Sequence, residues 1–551
     1  MKMNFIKRFE STVKECWDKP AIGEYGKEHA TYGRFAHEIE MFRMVCDSIG
    51  IRRGDRIAIN AGNSYCWSLV FMASTVLGYT SVLVLKGSTP DTVQGITRKA
   101  GCKVLFTEKA TFAGMQFEQM PDLLGVIDLR SMELLAARGN KPTLYLLRDK
   151  LFSVKHRHGF GPDDASYRER AMDELCSVIY TSGSTGNPKG VMLTGQNFQN
   201  YVEHIPEMFQ MERDDAHVNM LPFAHLFGLA YDILAPLCLG QTVTIITDRP
   251  TPTVLGKALR EIRPATLFVV PMVLNKYVTS VIGKNLKSRE GRMMLENRED
   301  YQEWFDVLRR KVMEALGGRV RKIMSAGAAA SLDMEDIMVK VLRLPYVTGY
   351  GLTECAPLIT LSRTESYRRG SCGEVLEWVS IKIDSPDEHS VPGEILARGK
   401  FVFGGYYLNP EATAEAFTED GWFHTGDMGT IDEEGHVMLS GRCKNMLLTS
   451  NGQNVYPEEI ETVLGSMPFV AESLIVQRKE TFGALIVPSP EVAGMSEDDV
   501  SIVMESNIAM LNSRIPTYER ITWWRLEREP FEKTPKGSIK RFIYQDRENR
   551  K

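Results

Sequence analysis

A mixed α/β fold of more than one domain is predicted by three features of this sequence. Short apolar strands alternate with amphipathic stretches from about residue 30 to 275, the rhythm of parallel sheets with helical crossovers. From Gly373 onward the texture turns β-rich, with strands separated by Gly, Pro and acidic turns. At 551 residues the chain is also too long for a single core, so at least two domains are expected.

In chain order, Arg56-Ile-Ala-Ile-Asn60 reads as a strand, Tyr65–Leu77 carries apolar residues at helical spacing, and Lys103-Val-Leu-Phe-Thr107 reads as the next strand. The apolar runs Cys176–Tyr180 and Gln241–Thr247 are further strands. Residues 282–316 are dense in Lys, Arg and Glu with Leu, Met and Trp interspersed, the pattern of solvent-facing helices in a surface insertion. Val379–Asp384, Gly393–Ala397 and His436–Ser440 make up the β-rich part, and Asp432-Glu-Glu-Gly-His436 reads as a hairpin turn. Beyond Gly441 about 110 residues remain, enough for a small domain. The boundary is placed at Arg442–Lys444, giving domains 1–441 and 442–551.

Composition narrows the class of function. Hydrophobic residues make up 43% and charged residues 25%, ordinary for a globular protein, and the net charge of −5 gives no reason to expect nucleic acid as a partner. Nine cysteines stand singly, with no Cys-x-x-Cys pair, which argues against structural zinc or a disulfide framework and for a reducing compartment. No apolar run approaches the roughly 20 residues of a transmembrane span, and the first ten residues lack a signal-peptide pattern. The expected location is cytoplasmic, with peripheral membrane association as the alternative.

The most informative segment is residues 180–194, Tyr-Thr-Ser-Gly-Ser-Thr-Gly-Asn-Pro-Lys-Gly-Val-Met-Leu-Thr. A strand ending in such a loop turns backbone N–H groups, hydroxyls and a cation toward one point, which suits a polyphosphate. A Walker loop would need Gly-x-x-x-x-Gly-Lys-Ser/Thr running into a helix, but the sixth residue from Gly183 is Pro188 and Lys189 is followed by Gly190. A flexible Ser/Gly linker does not suit the close apolar flanks. The segment resembles the phosphate-binding signature of the adenylate-forming enzymes, the superfamily of acyl-CoA synthetases, peptide-synthetase adenylation domains and beetle luciferases.

Four further segments match that superfamily in order, so the resemblance spans residues 180–541. It implies a large N-terminal domain of α/β subdomains and a small mobile C-terminal domain. It also implies that Thr181, Ser182, Gly183, Ser184, Thr185, Gly186 and Lys189 bind the phosphates of ATP. In Leu221-Pro-Phe-Ala-His-Leu-Phe-Gly-Leu229 the resemblance sets His225 beside the reacting carboxylate. Leu226 stands where an amino-acid-activating relative would carry Asp, which disfavours an amino-acid substrate. In Ile323–Ser331 it makes Gly327, Ala328 and Ala329 one wall of the adenine site, with Ala-Gly-Ala in place of the commoner Gly-Gly-Ala. In Val347-Thr-Gly-Tyr-Gly-Leu-Thr-Glu354 two glycines flank an aromatic; Tyr350 and Gly351 are implied to meet adenine. Thr353 and Glu354 offer the oxygen ligands that Mg²⁺ prefers.

In the last segments the resemblance assigns Asp427 and Arg442 to the ribose and Lys444 to the interdomain hinge. The chain departs from the family at its end. The family pattern Pro-Lys-Thr-x-x-Gly-Lys-x-x-Arg is here Glu532-Lys-Thr-Pro-Lys-Gly-Ser-Ile-Lys-Arg541, so Ser538 stands at the position of the catalytic lysine. Lys536 and Lys540 flank it and are the two candidates. The implied activity is ATP- and Mg²⁺-dependent conversion of a carboxylic acid, a fatty acid of medium or long chain, to acyl-AMP and then to the thioester of coenzyme A. The alternatives are an aryl-acid substrate, transfer to an acyl-carrier protein, and, from another class, a non-catalytic nucleotide-binding sensor suggested by Ser538.

Overall fold

The structure is a computed structural model that describes residues 3–139, 148–181, 188–247, 251–328, 332–449, 454–479, 481–534 and 538–549. The chain forms two compact units, each drawn from several stretches. The first comprises Met1–Ala328, Met338–Ile359 and Gly399–Ala416; the second comprises Ala329–Ile337, Thr360–Arg398 and Phe417–Lys551.

In the first unit a seven-stranded sheet runs in the order Leu134–Ala137, Gly125–Asp128, Val104–Thr107, Arg56–Asn60, Thr80–Leu83, Leu175–Thr181, Lys189–Thr194. Its inner pairs are parallel and its two outermost pairs antiparallel. The helix Tyr65–Leu77 occupies the predicted span because both ends are marked. The Ser64 hydroxyl accepts from the Trp67 N–H, and Gly78 takes the left-handed φ of 86° that stops the helix. A four-stranded sheet sets Ala216–Asn219, Thr242–Ile245, Pro20–Glu24 and Ala30–Thr31 side by side. Three parallel strands, Thr266–Val269, Lys322–Ala326 and Tyr346–Tyr350, complete the unit. Residues 282–316 are helical as expected: Pro271–Lys287, Arg289–Glu296 and Gln302–Ala315, the last burying Phe305, Leu308 and Val312 and exposing its charges.

The second unit carries the β-rich part. Ser380–Asp384, Gly393–Arg398, Phe423–Ile431, His436–Arg442 and Ser371–Val375 pair in antiparallel succession. The turn at 432–435 is the predicted hairpin, its Asp432 carboxylate accepting from the Glu434 and His436 N–H groups. Further along, a three-stranded sheet of Val470–Arg478, Thr481–Pro488 and Ile521–Leu526 packs with the helices Pro457–Gly465 and Glu497–Arg514 around Ile460, Leu464, Ile486 and Met504. Among the described residues no helix is long and apolar enough to cross a membrane.

Candidate active site

The strand Leu175–Thr181 returns antiparallel as Lys189–Thr194, with Thr181 opposite Lys189 and Tyr180 opposite Gly190. The intervening loop therefore leads into a strand, not into the helix a Walker loop requires. Ser182, Gly183, Ser184, Thr185 and Gly186 lie outside the described residues, as do Ala329 and Lys536. Lys189 is the cation at the loop's exit. Gly190 is required beside it: a Cβ there would sit 2.8 Å from Val178 Cγ1 and 3.0 Å from the Tyr180 ring.

The Lys189 Nζ lies 4.7 Å from the centroid of the Tyr406 ring, and the Tyr406 hydroxyl donates to Glu354 Oε1 at 3.2 Å. The proposed phosphate cation and the proposed metal carboxylate are thus joined through one tyrosine. Burial, and then the Glu354 carboxylate, push the Tyr406 hydroxyl above its ordinary range, so it keeps its proton and remains a donor. Tyr406 is held by a β-bridge to Val191 and by its N–H to Thr413 Oγ1 at 2.9 Å. Sequence reading missed it, since 217 positions separate it from Lys189 and no local pattern joins them.

Glu354 projects from a short turn, Thr353–Cys355, fixed from both sides. Its carbonyl accepts from the Phe403 N–H at 2.8 Å, and the turn closes on Ala356 in the left-handed region, φ 43°. That conformation is strained for a residue with a Cβ and persists because its surroundings over-determine it. Gly351 is equally constrained, since a Cβ would lie 1.8 Å from the Pro357 carbonyl oxygen. Tyr350, 7% exposed, ends its strand, and its carbonyl accepts from the Ile359 N–H. Gly327, φ 85°, and Ala328 follow the neighbouring strand end, one step beyond the pairing of Ala326 with Gly349. Both are exposed, so this strand end offers open backbone.

His225 is half-buried at the start of a short helix, its N–H donating to the Pro222 carbonyl and its carbonyl accepting from Leu229. A buried polar network holds this loop. His217 Nε2 donates to Asp232 Oδ1 at 2.9 Å, and both side chains are at most 1% exposed. Asp232 Oδ2 accepts from Asn219 Nδ2 at 2.7 Å and from the Leu221 N–H at 3.3 Å. Asn63 ties in from elsewhere, donating to Leu221 O and accepting from the Phe223 N–H. Asp232 sits in a π-helical stretch, Leu229–Leu234, a distortion that recurs at functional sites. Replacing Asp232 by Ala leaves the His217 and Leu221 donors without that acceptor. Urea unfolding of Asp232→Ala is expected to show a loss of about 2 kcal/mol; an unchanged midpoint would mean the network does not hold the loop.

In the second unit Asp427 and Arg442 are directly opposed on adjacent antiparallel strands, and Arg442 Nε lies 2.7 Å from Asp427 Oδ1. Asp427 is buried and Arg442 half-exposed. A bulge between Met428 and Gly429 breaks the ladder beside Asp427, the kind of irregularity that re-aims a side chain. Lys444 is exposed in the one-turn helix Cys443–Asn445 that follows Arg442. Lys540 leaves a narrow hairpin: Lys533 pairs with Ile539, and the Lys540 N–H donates to the Glu532 carbonyl. Ile539 packs inward against the cluster around Leu474 and Phe531, so Ser538 and Lys540 lie on the opposite face of that arm. Lys540 Nζ is 3.2 Å from Glu532 Oε2.

Among the described residues no group of three or more His, Cys, Asp or Glu is placed to hold a metal. Thr353 and Glu354 supply a hydroxyl and one carboxylate, which fits an Mg²⁺ that arrives with a nucleotide's phosphates rather than one held in a protein cage.

Residues 9–407 match the family model described as AMP-binding enzyme. The chain belongs to that family. Residues 444–547 match a second model, AMP-binding enzyme C-terminal domain. Among curated relatives of this AMP-binding enzyme, the long-chain-fatty-acid–CoA ligase FadD15 of Mycobacterium tuberculosis is 27% identical over 491 residues, 84% of this chain and 77% of the relative. The long-chain-fatty-acid–CoA ligase ACSBG2 of Rattus norvegicus is 25% identical over 94% of this chain and 82% of its own length. Among solved structures, the anthranilate CoA ligase AuaEII with anthranoyl-AMP aligns at a TM-score of 0.79 with 18% identity, covering 99% of this chain and 97% of that one. ATP-bound MatB from Rhodopseudomonas palustris aligns at 0.76 with 21% identity, covering 99% of both chains. These likenesses carry the fold: a large N-terminal α/β body and a C-terminal domain.

Proposed function

We propose that this AMP-binding enzyme is an AMP-forming fatty-acid–CoA ligase. The observation that carries the reading is the linked trio Lys189, Tyr406 and Glu354 at the exit of the Ser/Thr/Gly loop, in a chain whose curated relatives include long-chain-fatty-acid–CoA ligases. A free carboxylate is a poor acyl donor because oxide is a hopeless leaving group. Its oxygen attacks the α-phosphorus of ATP, the α–β anhydride bond breaks, pyrophosphate leaves, and an acyl-AMP remains. The thiolate of coenzyme A then attacks the acyl carbon and AMP departs with the electron pair.

In this scheme Lys189 and the 181–186 loop hold the β- and γ-phosphates. Thr353 and Glu354 hold Mg²⁺, which neutralises charge on the phosphates when bound. Gly327 to Ala329, Tyr350 and Gly351 form the adenine wall, Asp427 and Arg442 take the ribose hydroxyls, and His225 borders the reacting carboxylate. The protein is assigned to the cytoplasm, which cell fractionation tests; recovery in the membrane pellet would favour peripheral association.

The deciding experiment is pyrophosphate release from ATP with a panel of alkyl and aryl acids, followed by thioester formation with coenzyme A or an acyl-carrier protein. Release with medium- or long-chain acids and capture by coenzyme A support the reading. No release with any acid would leave a nucleotide sensor, and capture by carrier protein alone would reassign the acceptor.

Lys444 is assigned the hinge role. Two half-reactions at one active site need different backbone torsions there. Proline locks φ near −65° and removes the N–H. Lys444→Pro is expected to leave one half-reaction largely intact and to cripple the other, measured as pyrophosphate release and as thioester formation from preformed acyl-AMP. Equal loss of both in a folded variant would remove the hinge from this residue.

A further inference from the structure

A cavity of about 670 Å³, partly open to solvent, lies within the first unit, away from every residue assigned above. Its long wall is the helix Tyr32–Ile49, which turns Met41, Phe42, Val45 and Ile49 toward it. The facing wall is Leu69 with Val104, Phe106 and Ile127 from two strands of the seven-stranded sheet. Those strands lie three and four places from Leu175–Thr181, about 14 and 19 Å at the usual strand spacing. The cavity is therefore separate from the phosphate loop.

Its two ends differ in chemistry. Near the start of the helix Trp17 and Phe160 approach with ring centroids 6.0 Å apart. Trp17 lies so close to the helix that a Cβ on Gly33 would be 2.5 Å from its ring, so glycine at 33 is what admits it. Beside them stands Arg34, its Nε 3.0 Å from Glu38 Oε1 and its side chain 60% exposed, hence reachable from the cavity mouth. Toward Ile49 the lining is apolar. From Arg34 to Ile49 the helix rises about 22 Å, so the trough has the length of an extended long-chain acid.

The floor is shaped deliberately. Met132 lines the cavity with its backbone at φ 56°, the left-handed region that a residue with a Cβ rarely enters. The Asp128 carboxylate imposes that turn by accepting from the Ser131 N–H, the Ser131 hydroxyl and the Lys109 N–H. The result sets a flexible, polarisable side chain against the space. Protein interiors tolerate few voids larger than a water, and an apolar lining does not hold water well. The volume falls in the range of about 300–1,000 Å³ typical of small-molecule sites.

We propose that this cavity binds a free long-chain fatty acid, its alkyl chain along Met41, Val45 and Ile49 and its carboxylate at Arg34, as a site distinct from the one at which acids are activated. The trough is apolar toward Ile49 and carries Arg34, its partner Glu38 and His37 at its mouth. A monocarboxylate with a long tail fits it by taking the exposed guanidinium from Glu38, whose other oxygen is already held by the Tyr65 hydroxyl. The activation site is first filled with palmitoyl-sulfamoyl adenosine, a non-reactive mimic of acyl-AMP, and radiolabelled palmitate is then titrated against the full chain. One further palmitate per chain is expected. Val45→Trp, which fills the trough, is expected to weaken that binding by about tenfold or more without lowering pyrophosphate release. A diazirine-bearing palmitate is expected to crosslink within 32–49 or 127–132 in the unaltered protein, a readout that needs neither activity nor a variant that folds. It stands or falls apart from the ligase assignment. Absence of a second palmitate, or crosslinks confined to other segments, overturns the proposal.

Discussion

Lys189→Ala is expected to lower ATP-dependent pyrophosphate release by about 30- to 1,000-fold, the equivalent of about 2–4 kcal/mol for one charged contact in a preorganised phosphate site. The expectation follows from where the lysine is placed. It begins a strand opposite Thr181, so its backbone is fixed by the sheet, and its Nζ rests over the Tyr406 ring. Such a cation–π contact is worth about 0.5–2 kcal/mol, enough to hold the ammonium in position and weak enough to yield it to a triphosphate. Two companion variants separate charge from scaffold. Lys189→Arg keeps the cation, and Tyr406→Phe keeps the ring while removing the hydroxyl bonded to Glu354. The first is expected to retain most activity. The second is expected to affect the Mg²⁺ dependence more than the affinity for ATP, which a Mg²⁺ titration at fixed ATP measures. Thermal melting of each variant checks that the fold is kept. Pyrophosphate release at the parent rate in folded Lys189→Ala would remove this lysine from the phosphate site.

What the sequence made legible follows the range of the interactions. Tyr65–Leu77 was readable to the residue because a serine cap and a left-handed glycine both lie within the local sequence. The strand before the phosphate loop and the acidic hairpin at 432–435 were readable for the same reason. The strand expected at Gln241–Thr247 is shorter, Thr242–Ile245, since the paired register with both neighbouring strands ends at Ile245. The parts that escaped are those assembled from distant segments. Tyr406 reaches Glu354 across 52 positions, and Asn63 reaches Phe223 across 160. An isolated tyrosine or asparagine leaves no trace of such pairing. The strain at Ala356 and Met132 was equally hidden, because neither residue type favours a positive φ and only the surrounding contacts impose it. The interleaving of the two units was not readable either. Ala329–Ile337 belongs with the second unit although the strands on both sides of it belong with the first.

Lys540→Ala is expected to reduce adenylation by about 10²–10³-fold while leaving thioester formation from preformed acyl-AMP intact. The family's catalytic lysine position is occupied by Ser538, and Lys540 shares a face with it because Ile539 between them packs inward. In this structure the Lys540 ammonium pairs with Glu532 at 3.2 Å, the two side chains 35% and 62% exposed. An exposed pair of this kind contributes only about 0–1 kcal/mol, so releasing the lysine to a phosphate costs little. Glu532→Ala should therefore leave adenylation unchanged or slightly raised. The opposite result, a loss as deep as that of Lys540→Ala, would mean that the pair itself positions the lysine. Lys536, outside the described residues, is the competing candidate, and Lys536→Ala is expected to have the smaller effect. The measurements are single-turnover pyrophosphate release for the first step and conversion of synthetic acyl-AMP with coenzyme A for the second. Reversal of the ranking would transfer the role to Lys536. Adenylation at the parent rate in the double variant would mean that neither lysine acts, leaving the first step to Lys189 and the other phosphate ligands.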